Sequence, residues 1–133
     1  MNGVKDKLNI IEILWATDRK FLDGIKISNI RTPPRTIVGM NYTKPYNLFD
    51  EILANPNKYA IVIVHSSIEK DMFERVDKCK RLSNAIFVLE STNRYYESNY
   101  TVLQHFDDYT YTLTETEDIE NLLIEHKLIP HRP

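Results

Sequence analysis

Apolar residues fall along this chain in two alternating rhythms. Short unbroken runs rich in β-branched side chains take turns with stretches in which apolar positions recur every three or four residues. The clearest case lies within 59–90. Tyr59-Ala-Ile-Val-Ile-Val-His65 is an unbroken run, the pattern of a strand covered on both faces, as in a parallel sheet. Ser66-Ser67-Ile68-Glu69 follows and predicts a capping box, with Ser66 as N-cap and Glu69 three residues on. The helix it opens carries Ile68, Met72, Val76 and Cys79 on one stripe with Phe73 beside them. Asn84-Ala-Ile-Phe-Val-Leu-Glu90 reads as a second buried strand.

Upstream the rhythm is the same. Leu8 to Ala16 predicts a first strand, and Thr17 or Asp18 an N-cap for a helix with Phe21, Leu22, Ile25 and Ser28 on one side. Pro33-Pro34 stops that helix. Thr36-Ile-Val-Gly-Met40 predicts a shorter second strand. Thr43-Lys44-Pro45 opens a second helix with Leu48, Phe49, Ile52 and Leu53 as its apolar face. Four strands alternating with three helices predict an α/β fold: an open, mostly parallel four-stranded sheet in flavodoxin-like order, helices on both faces. After Glu90 the pattern changes. Tyr100 to Phe106 fits a helix or a strand, and Tyr109 to Thr114 alternates like an edge strand. Thr114-Glu-Thr-Glu117 predicts a capping box for a last helix with Ile119, Leu122 and Leu123 inward. Residues 1–106 thus read as the α/β domain and 107–133 as a C-terminal helical extension, part of it or appended to it.

The 133 residues suit one domain, large enough to fold without disulfides or metal. The single cysteine, on an apolar stripe, suits a reducing compartment. No apolar run approaches the length of a membrane span, and the first residues lack the apolar core of a signal peptide. The expected location is cytoplasmic, without membrane insertion. A net charge of −2 argues against a general nucleic-acid binder. The charge is uneven: from Asp107 to His126 there are acids at 107, 108, 115, 117, 118, 120 and 125 and no Lys or Arg. Such a segment is a solvated helix face or a contact for a basic partner.

In an open α/β sheet ligands sit beyond the carboxyl ends of the strands. Here those ends carry Asp18, Thr43, His65-Ser66 and Glu90-Ser91. The glycines at 3, 24 and 39 do not cluster, and no GxxxxGK[ST] occurs, so the usual phosphate-binding loops are excluded. A phospho-acceptor site needs an acidic cluster after the first strand and an Asp after the third, where His65-Ser66 stands instead. Asp18 reads as an N-cap. His65 is the lone general-base candidate by position, beside Ser66 and Ser67, with a satisfied histidine as the plain alternative. The remaining histidines have no metal-ligand spacing with Cys79, which reads as core. No catalytic set, metal site or cofactor is predicted.

One spacing carries further. The first strand is followed by Thr17-Asp18, then Gly24 six residues on and Ile30 six beyond that. Three segments accompany it: Lys58-Tyr-Ala-Ile-Val-Ile-Val64, Asn84-Ala-Ile-Phe-Val-Leu-Glu-Ser91 and Tyr100-Thr-Val-Leu-Gln-His105. Together they resemble the F subunit of the vacuolar-type (V-type) rotary proton ATPase over roughly residues 8–106. The chain differs where that family has Gly at Thr17 and Pro at Asn84, lacks the family's basic pair near 104–105, and continues through the acidic segment. The resemblance implies a non-catalytic stalk component, peripheral to a membrane complex, that clasps the coiled-coil rotor and helps transmit torque. It puts Tyr100, Val102, Leu103 and Phe106 against that coiled coil. The alternative is a small α/β interaction module of viral, phage or mobile-element origin that binds a host protein. A third reading is a hydrolase or transferase built on His65 and its neighbouring serines.

Overall fold

The computed structural model describes residues 7–18, 25–65, 72–91 and 100–130. Five strands form one sheet: β1 (Asn9–Ala16), β2 (Thr36–Thr43), β3 (Ile61–His65), β4 (Ile86–Ser91) and β5 (Asp108–Tyr111), in the order β2-β1-β3-β4-β5. Every neighbouring pair is parallel. The order is the flavodoxin-like one. The expected count of four strands is corrected to five, because the alternating segment at 109–114 does supply an edge strand, which begins one residue earlier, at Asp108, and ends at Tyr111.

The central strands are apolar on both sides because both faces are covered. On one face lie α1 (Leu48–Ala54), α2 (Met72–Leu82) and the single turn α3 (Tyr100–Leu103). They bury Leu48, Ile52, Val76, Cys79, Val102 and Phe106 against Leu14, Val62, Val64, Phe87 and Leu89. On the other, α4 (Thr116–Glu125) and the segment through Ile30 bury Ile119, Leu122 and Leu123 against Ile13, Trp15, Ile61, Ile63 and Val88. Residues 107–130 therefore contribute a strand to the sheet and much of one of its two layers of cover.

Local chemistry explains the departures from the sequence pattern. β2 runs three residues past Met40 and stays in register with β1 up to Ala16↔Thr43. Asn41, polar by composition, is held there by its amide, which donates to Glu12 at 2.6 Å and to the Ile13 carbonyl at 3.0 Å. Gly39 leaves room for the same Glu12 carboxylate: a Cβ at Gly39 would lie 2.7 Å from Oε2. Of the helix expected after Asp18, Phe21 and Leu22 lie outside the described residues. The part described, Ile27–Asn29, is one 3-10 turn, and Ser28 is exposed rather than inward. Ser66, Ser67, Ile68 and Glu69, the expected cap of α2, also lie outside the described residues. Pro45 opens a 3-10 turn that leads into α1, as its missing N–H allows. The last capping box is one residue later than predicted. Glu115 is the N-cap of α4 and Asp118 its reciprocal partner, accepting from the backbone N–H of Glu115 at 3.0 Å and of Thr114 at 2.9 Å.

Candidate functional site

The carboxyl ends of β1, β3 and β4 meet at one buried carboxylate. Along β1, strand alternation points Ile11, Ile13 and Trp15 toward α4. On β4 the same alternation turns Val88 and Glu90 to that face, with Glu90 in register with His65 of β3. Trp15 and Glu90 are both fully buried. The indole Nε1–H of Trp15 donates to Glu90 Oε1 at 2.7 Å, and the backbone N–H of Leu113 donates to Oε2 at 2.8 Å. Tyr42, half exposed on the edge strand, stacks on Trp15 with ring centroids 6.0 Å apart. A carboxylate taken out of water is tolerated only when its oxygens are bonded. Glu90 meets that demand by joining β1, β4 and the loop leading to α4.

By sequence alone Glu90 stands out only as a strand terminus. Two signals point to it: an acid closing an otherwise apolar strand, and a single tryptophan on a core position whose N–H needs an acceptor once buried.

The predicted site residues fall in two places, the neighbouring ends of β1 and β3 and the segment in and after α3. Asp18 is exposed just past β1. His65 is half-buried at the end of β3, on the α4 face beside Glu90. Ser66 lies outside the described residues, so the His65–Ser66 pairing has no described geometry. Tyr100 begins α3. Val102 and Phe106, each 8% exposed, belong to the core under α2, and Leu103 packs against it. Phe106 meets Phe73 edge-on at 6.1 Å. Of the residues that the stalk resemblance would turn toward a coiled coil, Val102, Leu103 and Phe106 are thus engaged inside the domain.

Two histidines that sequence spacing left unassigned are paired with acids. His105 Nδ1 lies 2.9 Å from the Asp77 carboxylate, its ring parallel to Phe73 at 5.5 Å. His126 Nε2 lies 2.8 Å from Asp108. Lys80 reaches both the His105 carbonyl, at 3.3 Å, and Asp107, at 3.5 Å. Each pair ties a helix to its neighbour: α2 to the turn after α3, and the end of α4 to β5. Among the described residues no group of three or more His, Cys, Asp or Glu is placed to hold a metal ion. Burial pushes the Cys79 thiol up to about 11, against a smaller opposing pull from a backbone hydrogen bond. Burial, then the hydrogen bond to Glu51, raises the Tyr59 phenol as well.

The acidic segment is largely occupied in structure. Asp107 accepts from the Phe87 N–H at 2.8 Å, Asp108 binds His126, and Glu115 and Asp118 cap α4. Glu120 is buried and accepts from the Arg31 N–H at 3.3 Å. Glu117 and Glu125 are exposed.

No family model, curated protein or solved structure matches the chain. The likeness to the rotary-ATPase stalk component therefore rests on its sequence segments alone, and function has to be argued from the geometry.

Proposed function

We propose that this chain is a non-catalytic α/β module whose work is to bind a protein partner. The observation that carries the reading is the state of Glu90. It stands where this fold class places its chemistry, yet its two oxygens are taken by Trp15 and Leu113 and none of it reaches solvent. The acid at that edge serves assembly.

The resemblance gives the first specific form of this function: the central-stalk F subunit of a vacuolar-type rotary proton ATPase, bound to its coiled-coil rotor. No helix among the described residues is long and apolar enough to cross a membrane, which agrees with a peripheral position. The burial of Val102 and Phe106 favours the second form, a module of viral, phage or mobile-element origin that binds a host protein through another surface. Native purification followed by mass spectrometry separates the two. Stoichiometric recovery of rotary ATPase components is expected of the stalk form. Their absence from a preparation in which the chain is intact and folded sinks it. Recovery of one unrelated protein instead carries the second form.

A further inference from the structure

The two edges of the sheet are finished differently. β5 is four residues long. β2, at the other edge, is eight residues long: Thr36-Ile-Val-Gly-Met-Asn-Tyr-Thr43 carries no charge and no proline, and its register with β1 has no bulge. Edge strands are normally blunted by one of these devices. The ladder fixes which groups of β2 point away from the sheet. The Asn9 N–H donates to the Arg35 carbonyl at 2.8 Å and the Thr17 N–H to the Thr43 carbonyl at 3.0 Å. Odd-numbered residues of β2 therefore turn their backbone groups to β1, and Thr36, Val38, Met40 and Tyr42 turn theirs outward. Thr36 is already engaged: its N–H donates to the Pro33 carbonyl at 3.2 Å and its carbonyl accepts from the Thr32 hydroxyl at 3.0 Å. Tyr42 is engaged as well, its ring against Trp15. Val38 and Met40 have no partner for their outward N–H and C=O among the described residues. The open window therefore runs from Val38 to Met40 and is symmetric about Gly39.

We propose that this edge pairs with the same edge of a second copy of the chain, antiparallel, about a two-fold axis at Gly39, so that two five-stranded sheets become one. The symmetry of the window selects the occupant. The axis sets Val38 of each copy opposite Met40 of the other, and every open N–H then meets an open C=O. Between those pairs Gly39 faces Gly39, at the kind of position where antiparallel strands approach most closely, with Cα atoms about 4.5 Å apart. A strand without charge lies against itself with no like charges set face to face along it. A longer foreign strand would meet the occupied groups of Thr36 just beyond the window. Ile37, half exposed beside Ile10, gains cover from Asn41 of the second copy. One contact opposes the pairing. The Glu12 carboxylate fills the space over Gly39, so two carboxylates come to face each other across the axis. This association is separate from the binding of an unlike partner proposed above.

The test uses the full chain in sedimentation equilibrium over a wide range of protein concentration, with amide hydrogen exchange at the two ends of that range. A concentration-dependent monomer–dimer equilibrium is expected, with no larger species, because a two-fold contact closes on itself. Independently of any variant, the Val38 and Met40 amides are expected to exchange about tenfold or more slowly in the dimer than in the monomer. The Asn41 amide, turned to β1 in both, should change little. Met40→Pro removes an outward N–H and no ladder bond of the monomer. With two hydrogen bonds lost per dimer, its dissociation constant is expected to rise about tenfold or more. Glu12→Gln keeps an oxygen for the Asn41 amide and removes the facing charges, so it is expected to tighten the dimer severalfold. Circular dichroism checks that both variants remain folded. A chain that stays monomeric throughout overturns the proposal, as does growth beyond dimers. So does a dimer whose Val38 and Met40 amides exchange as in the monomer, or one that Met40→Pro or Glu12→Gln leaves unchanged. None of these outcomes bears on the unlike partner, which native purification tests.

Discussion

At Glu90 two donors separated widely in sequence converge on one carboxylate shielded from water. Removing the carboxylate takes away the oxygens that accept from the Trp15 and Leu113 N–H groups, and a buried donor deprived of its acceptor costs about 1–3 kcal/mol. Glu90→Ala is therefore expected to lower the unfolding free energy by roughly 2–6 kcal/mol, measured by urea denaturation. Glu90→Gln keeps one acceptor oxygen but sets an NH₂ against the second donor, so its loss falls between zero and that of the alanine variant. Unchanged stability in both variants would show the clamp to be idle. Cys79 makes a second prediction with a definite sign. Its thiol titrates near 9.0 when unfolded and at about 11 in the fold. Below pH 9 the two states bind the same proton and nothing is lost. Between about pH 9 and 11 the unfolded chain alone ionises, so stability declines by roughly 2–3 kcal/mol. Cys79→Ala should abolish that part of the alkaline loss. In the native protein at neutral pH the thiol should resist alkylation until the chain is unfolded, which mass spectrometry reads directly.

Helix α4 ends in a motif that ordinarily uses glycine. Leu128 N–H bonds back to the Leu123 carbonyl at 2.8 Å and Lys127 N–H to Ile124 at 2.9 Å, with Lys127 at φ 60°. This is the Schellman pattern, and a Cβ in the left-handed region is strained there. Lys127→Gly is expected to stabilise the protein by about 0.5–1 kcal/mol and raise the thermal midpoint by a few degrees. A lowered midpoint would count against the strain. The same helix shows what was legible in the chain. Its inward residues Ile119, Leu122 and Leu123 followed from spacing alone, because burying an apolar stripe is a local demand. Its cap was misplaced by one residue, because Thr114-x-x-Glu117 matches the usual Ser/Thr-x-x-Glu/Gln signature whereas the box that forms, Glu115 with Asp118, does not. The three central strands were equally plain, β3 in an unbroken apolar run, β4 in an apolar run closed by Glu90, and β1 in a mostly apolar segment around Glu12. The extension of β2 to Thr43 was not, since it depends on Asn41 finding Glu12 across the sheet. The candidate site was the least legible part. Glu90 is identified by its partners at Trp15 and Leu113, and no local spacing encodes a contact of that range.

Across the whole molecule the two layers of cover are unequal in origin. One comes from helices interleaved with the strands; the other depends heavily on residues after 112. Leu113, Ile119, Leu122, Leu123 and Ile129 are all buried there. At about 1.5–3 kcal/mol for each such side chain, the segment contributes an amount comparable with the roughly 5–15 kcal/mol net stability of a domain. A chain ending at Thr112 is expected to lose cooperative thermal unfolding and to bind a hydrophobic dye; a sharp transition in that truncation would show residues 113–133 to be an accessory. The clamp at Glu90 also gives this molecule an optical signature. Trp15 is the only tryptophan, and its indole is hydrogen-bonded to a residue 75 positions away. Its emission therefore reports on one long-range event, the closing of β1 and β4 around the α4 layer. Emission from the assembled protein should be blue-shifted, and during refolding that shift should follow the backbone signal from the helices.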